Sequence, residues 1–145
     1  MSGQAMIRML DHTADVGFEI EAPTLEALFD EARRGLLMTM FERPPERGEE
    51  ERPVRLSATD LEILLVRWIN ELVYFIQGAG FVPVHAEIQI REANGGSFFL
   101  EALLAGAPLE LESYGWQGEI KSATFHGLDV TQGNEGWRAQ VILDV

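Results

Sequence analysis

Between Leu61 and Ile76 the chain is apolar on nearly every side of a helical wheel. Leu61, Ile63, Leu64, Leu65, Val66, Trp68, Ile69, Leu72, Val73, Phe75 and Ile76 leave only a narrow polar strip. A helix of that kind is buried from more than one direction, so the rest of the chain must wrap it. Thr59-Asp60-Leu61-Glu62 has the spacing of a capping box that opens the helix. Gly78 and Gly80 close it. Upstream, Leu25, Leu28, Phe29, Ala32, Leu36 and Met40 recur at intervals of three and four behind Pro23-Thr24. They predict a first helix with one apolar face. Its other face, with Glu26, Asp30, Glu31, Arg33 and Arg34, is expected in solvent.

The remaining patterns have a period of two. Val16, Phe18 and Ile20 alternate with Gly17, Glu19 and Glu21, which predicts a half-buried strand with Asp15 in phase with its wet face. Ala86, Ile88 and Ile90 alternate with Glu87, Gln89 and Arg91 ahead of the hairpin turn Asn94-Gly95-Gly96, and residues 97–105 return as the partner strand. A strand over 120–125, extended beyond Gly127 by 128–131, and a last strand running from Trp137 to the end complete the β-rich half. The stretch Glu42 to Pro53 is almost all Glu, Arg, Pro and Gly and is expected to be a mobile surface loop, with a short strand at 54–56. The predicted fold is therefore α+β: a single two-layer domain over residues 1–145, with two helices on a mixed, largely antiparallel sheet.

Charge limits the partners. Eleven basic against 24 acidic residues give a net charge of −13, which repels a phosphate backbone and argues against strong, direct nucleic-acid binding. It suits a cation or a basic protein surface. With no cysteine, disulfides, thiolate metal sites and cysteine nucleophiles are excluded. No run of apolar residues reaches membrane-spanning length, and residues 1–8 do not look like a secretory signal; a cytoplasmic location is expected. Phosphate-binding glycine loops, G-x-S-x-G and H-E-x-x-H are absent, so an independent enzyme is poorly supported.

Chemistry concentrates in two places. Asp11-His12-Thr13-Ala14-Asp15 puts two carboxylates and an imidazole within five residues, a supply of hard ligands for a divalent cation. The same residues also suit a turn capped by Asp11 with Asp15 solvated. At the other end Asp144 precedes Val145, whose terminal carboxylate adds a second charge. If the last strand pairs near the first, Asp15, Asp144 and that carboxylate converge, which is unfavourable without a cation. The alternative is a frayed, solvated tail. His126 fits a packing or hydrogen-bonding role better than catalysis, and His85, between Val84 and Ala86, attracts no particular suspicion.

These residues carry a family resemblance. Asp11-His12-Thr13-Ala14-Asp15-Val16 resembles the D-H-T-A-D-V signature near the start of the archease family. Trp68-Ile69-Asn70-Glu71-Leu72-Val73-Tyr74 is similar to its W-L-N-E-L-L-Y helix, and Glu119-Ile120-Lys121-Ser122-Ala123-Thr124-Phe125-His126 to its E-V-K-A-x-T-Y-H strand. Val141-Ile142-Leu143-Asp144-Val145 resembles its apolar-Asp-apolar tail. The four blocks fall in order over essentially the whole chain. The resemblance implies a non-enzymatic accessory protein that activates an RtcB-type RNA ligase in tRNA splicing or RNA repair, by promoting guanylylation and multiple turnover. It also implies a bound divalent metal, calcium before magnesium or manganese, with Asp15, Asp144 and Val145 as its ligands. Asp11 is not carried over. Ala107, Ser113 and Tyr114 depart from the family pattern, which would weaken ligase docking if those positions touch the partner. Two other classes compete: a chaperone-like protein-binding module, which needs a broad exposed apolar patch, and a small hydrolase built on Asp11, His12 and Asp15.

Overall fold

The apolar helix lies at the centre of the computed structural model, which describes residues 4–10 and 16–145. Strands β1 (Met6–Met9) and β2 (Val16–Ala22) lead into helix α1 (Leu25–Met40). Strand β3 (Glu50–Ala58) precedes α2 (Leu61–Val73), which runs on through a single π-helical turn, Tyr74–Gly78. Strands β4 (Phe81–Glu92) and β5 (Phe98–Pro108) form the hairpin, and a short helix α3 (Leu111–Tyr114) connects to β6 (Ser122–Gly133) and β7 (Gly136–Asp144). The strands divide between two sheets, β1-β2-β7-β6 and β3-β5-β4. The α+β arrangement stands. Every pairing among the described residues is antiparallel rather than mixed, and the short α3 is added to the two expected helices.

The helix pair joins the sheets. α1 packs on β2 and β7 and runs along β4, while α2 lies along β6 and β3. Leu64, Leu65, Trp68, Ile69 and Leu72 of α2 are fully buried, and the Trp68 indole N–H donates to the Phe29 carbonyl at 2.8 Å. That bond satisfies the one polar atom of the largest core side chain. The cap of α2 is Asp60, whose carboxylate accepts from the Ile63 N–H at 2.8 Å, one residue later than a Thr59 capping box implies. A carboxylate there also meets the positive end of the helix dipole.

Two expectations about surface residues change. Glu31 and Arg33, expected in solvent, are buried. Arg33 pairs with Asp30 at 2.8 Å and donates to the Pro83 and Val84 carbonyls at 3.1 and 2.9 Å; Glu31 pairs with Arg34 at 2.6 Å. Glu26 also accepts from the Ile90 N–H at 3.2 Å. The charged face of α1 thus satisfies the free edge of β4, which would otherwise be open to pairing.

The stretch Glu42 to Pro53 is a loop only in part. The N–H groups of Glu42 and Arg43 donate to Gly115 and Tyr114 carbonyls at 2.8 and 2.7 Å, and from Glu50 onward the chain is β3, paired with β5 through Pro53↔Leu103. Proline fits there because β3 is an edge strand that need not donate outward. Glu46 and Glu50 are exposed.

The β4–β5 turn falls at Asn94-Gly95-Gly96, with Gly95 and Gly96 at φ of +92° and +84°. β4 begins at Phe81, earlier than the alternation shows, because Phe81, Val82 and Pro83 are all buried and so lack a period of two.

Candidate functional site

The end of β7 is where the sequence-derived candidates can be located. Val16, the first residue of β2, pairs with Leu143. On the other side of β7, Ser122 pairs with Asp144, and the Lys121 N–H donates to the Asp144 carbonyl at 2.8 Å. Asp144 is therefore held by its backbone, not frayed. Its side chain is exposed and, among the described residues, meets neither a hydrogen-bond donor nor a basic group. Asp11, His12 and Asp15 lie outside the described residues, as does the side chain of His126. Among the described residues no group of three His, Asp or Glu side chains gathers closely enough to hold a metal.

Helix α2 sets the position of the strand beside Asp144. The Asn70 Oδ1 accepts from the Ala123 N–H at 2.7 Å. Seven residues on, the Gln77 amide donates to the Ile120 carbonyl at 2.7 Å and accepts from its N–H at 2.9 Å. Two side-chain amides thus occupy the place of a neighbouring strand along 120–123. Sequence reasoning did not single out either residue. The available signal was two amides seven residues apart, and so near one face, in a largely apolar helical run.

Past Thr124 the register of β6 against β7 jumps: Thr124 pairs with Ile142, but the next pair is Asp129 with Gln140. The extra residues bulge at Gly127, whose φ of +73° favours glycine, and the Gln140 side chain donates to the Gly127 carbonyl at 2.8 Å. Phe125 on this bulge is exposed, as is Tyr74 on the π-helical turn.

The positions that depart from the resemblance have structural roles. Ala107 is buried and pairs with Val82 in the sheet. Tyr114 is buried edge-on against Phe41. Its hydroxyl donates to the Pro108 carbonyl at 2.8 Å, with the Glu110 carboxylate also within 3.2 Å. Burial, with the Glu110 hydrogen bond and charge added, pushes the Tyr114 phenol above its ordinary value. Ser113 alone of the three is exposed.

Comparison with known proteins bears on the family and the fold. The model of the Archease protein family (MTH1598/TM1083) matches residues 8–145. The chain belongs to the archease family. It is 34% identical over 137 residues to "Protein archease" of Methanosarcina barkeri, covering 94% of this chain and 93% of that one. It is 30% identical over 138 residues to the Archaeoglobus fulgidus archease, covering 95% and 98%. The fold is that of the solution structure of Methanobacterium thermoautotrophicum protein 1598, with a TM-score of 0.77, 24% identity and coverage of 96% and 98%. A crystal structure of a Thermotoga maritima archease, described as a possible chaperone, superposes with a TM-score of 0.60 at 22% identity, covering 99% and 100%. No helix among the described residues is long and apolar enough to cross a membrane.

Proposed function

We propose that this archease is a metal-dependent accessory protein that activates an RtcB-type RNA ligase in the cytoplasm, acting through its whole length, 1–145, as one domain. The observation that carries the reading is the pairing of Val16 with Leu143. Covalent geometry keeps the Cα of Asp15 within about 3.8 Å of that of Val16, while Asp144 directly follows Leu143. Asp15, Asp144 and the Val145 carboxylate would hold one divalent cation, calcium before magnesium or manganese. The fit rests on Asp144: its carboxylate is exposed and has no partner among the described residues, and carboxylate oxygens are the ligands hard cations take. Once bound, the ion would supply positive charge beside the end of β7. The protein's own part is to hold the ligands still, through the Lys121–Asp144 backbone bond and the Asn70 and Gln77 amides behind it.

The net charge of −13 favours a basic ligase surface over RNA as the direct partner. The chaperone reading draws on the description of the Thermotoga protein. It predicts that aggregation-prone clients are held independently of calcium. The deciding experiment is ligation by the cognate ligase, with and without this protein and calcium, scoring guanylylation and turnover. Stimulation that is lost in Asp15→Asn, in Asp144→Asn or on adding residues after Val145 supports the proposal; calcium-independent stimulation by Asp144→Asn refutes it.

A further inference from the structure

Beside the end of β7 opens a cleft of about 380 Å³ lined by Met9, Val16, Met38, Ile120, Glu119 and Val145, among others. We propose that this cleft seats an apolar side chain carried on a Lys- and Arg-rich segment of the RNA ligase, an inference that rests on the activator reading above.

Met9 in β1, Met38 in the last turn of α1 and Val145 beyond β7 come from distant parts of the chain. They converge on this cleft while 44%, 46% and 52% exposed. Folding leaves their apolar surface uncovered, and removing it from water is favourable. The unbranched methionines adapt to whatever shape arrives. The volume suits a large side chain or two and lies near the low end of the ~300–1,000 Å³ of ligand pockets.

Charge selects the occupant. Among the described lining residues Glu119 carries the sole ionisable side chain, and Asp144 adjoins Val145. An apolar side chain flanked by Lys or Arg meets acid at the cleft and the long-range field of a strongly acidic protein; a phosphate backbone meets repulsion. Position selects it too. Val16 and Val145 line the cleft, and their chain neighbours Asp15 and Asp144 are the proposed ligands. A ligase that engages an ion held there comes against this cleft as well.

The test uses the full chain with Met38→Asp and, on a separate element, Met9→Asp. Leu103→Asp, at a site 39% exposed on the other sheet, is the control. Calorimetry gives the Kd for the cognate ligase in calcium, direct titration gives calcium affinity, and circular dichroism melting verifies the fold. Each cleft variant is expected to raise the ligase Kd at least tenfold with calcium affinity within twofold of wild type, and Leu103→Asp to bind as wild type does. Should Met38→Asp fail to fold, Met9→Asp decides. Wild-type ligase affinity in a folded cleft variant overturns the cleft and leaves the activator reading standing; a wild-type protein that does not bind the ligase overturns both. A parallel loss of calcium affinity assigns the effect to the ion and overturns the cleft. Tight binding of tRNA by the wild type alone, lost in the cleft variants, makes RNA the occupant and overturns it equally.

Discussion

The Oδ1 of Asn70 accepts the backbone N–H of Ala123 at 2.7 Å across a sequence separation of 53 residues. Two of the blocks that carry the family resemblance, the 68–74 helix and the 119–126 strand, therefore meet through a side chain of one and the main chain of the other. The consequence runs on to the candidate ligand, because Lys121, immediately ahead of β6, donates its N–H to the Asp144 carbonyl.

Replacing Asn70 by Leu leaves the Ala123 N–H without its acceptor in a part-buried place. Such an orphan costs about 1–3 kcal/mol. Asn70→Asp keeps an oxygen in position and is expected to cost much less. Urea denaturation of the two variants checks this, and calcium titration should show Asn70→Leu binding more weakly. Equal stability of the two variants would mean that the acceptor contributes nothing.

Gly35 gives a prediction opposite to helix propensity. Alanine in mid-helix is ordinarily better than glycine by about 0.8–1.0 kcal/mol. A Cβ at Gly35, however, would lie 2.7 Å from the Phe18 ring, and Phe18 is fully buried and cannot swing away. Overpacking of this kind costs about 1–3 kcal/mol, so Gly35→Ala should destabilise. Adding Phe18→Leu should remove most of that penalty, and a double-mutant cycle measures the coupling.

What the sequence disclosed was what local patterns encode. The apolar run of α2, the Asn94-Gly95-Gly96 turn and the break at Gly127 depend on residues near one another, so periodicity and glycine placement exposed them. The burial of Arg33 did not show, because its carbonyl partners Pro83 and Val84 lie about fifty residues away. The first half of β3 read as a loop because Glu50, Glu51 and Pro53 are polar or strand-averse, yet they pair along an edge whose outer face is wet. At the candidate site, Asp144 was legible from its place beside Val145 and in an alternating strand. Asn70 and Gln77 were not, since an amide that imitates a strand looks like any polar residue until its partner is known.

Tyr114 predicts an alkaline limit on stability. Burial, then the hydrogen bond and charge of Glu110, hold its phenol in the neutral form, so its folded value lies above the value of about 10 for a free tyrosine. The sign follows: the contribution is intact below about pH 10 and is lost as pH rises through the higher folded value. In a Tyr74→Phe background, tyrosinate absorbance should titrate later in the folded protein than in urea. Tyr114→Phe should flatten the alkaline fall in melting temperature. Identical titrations in the two states would contradict the assignment.

The last prediction separates the proposed ion from the fold. Ligand that binds only the native state stabilises it by about 2.7 kcal/mol at a concentration of 100 times Kd. Calcium at that level should therefore stabilise the wild type by this amount. Asp144→Asn should lose the gain, because it removes a charged oxygen that hard cations require. Without calcium the same variant should be at least as stable as wild type. Asp144 makes no ion pair or side-chain hydrogen bond among the described residues, and neutralising it relieves repulsion in a chain of net charge −13. A calcium-free Asp144→Asn protein that melts well below wild type would show that the carboxylate supports the fold directly, and the metal assignment at this residue would lose its basis.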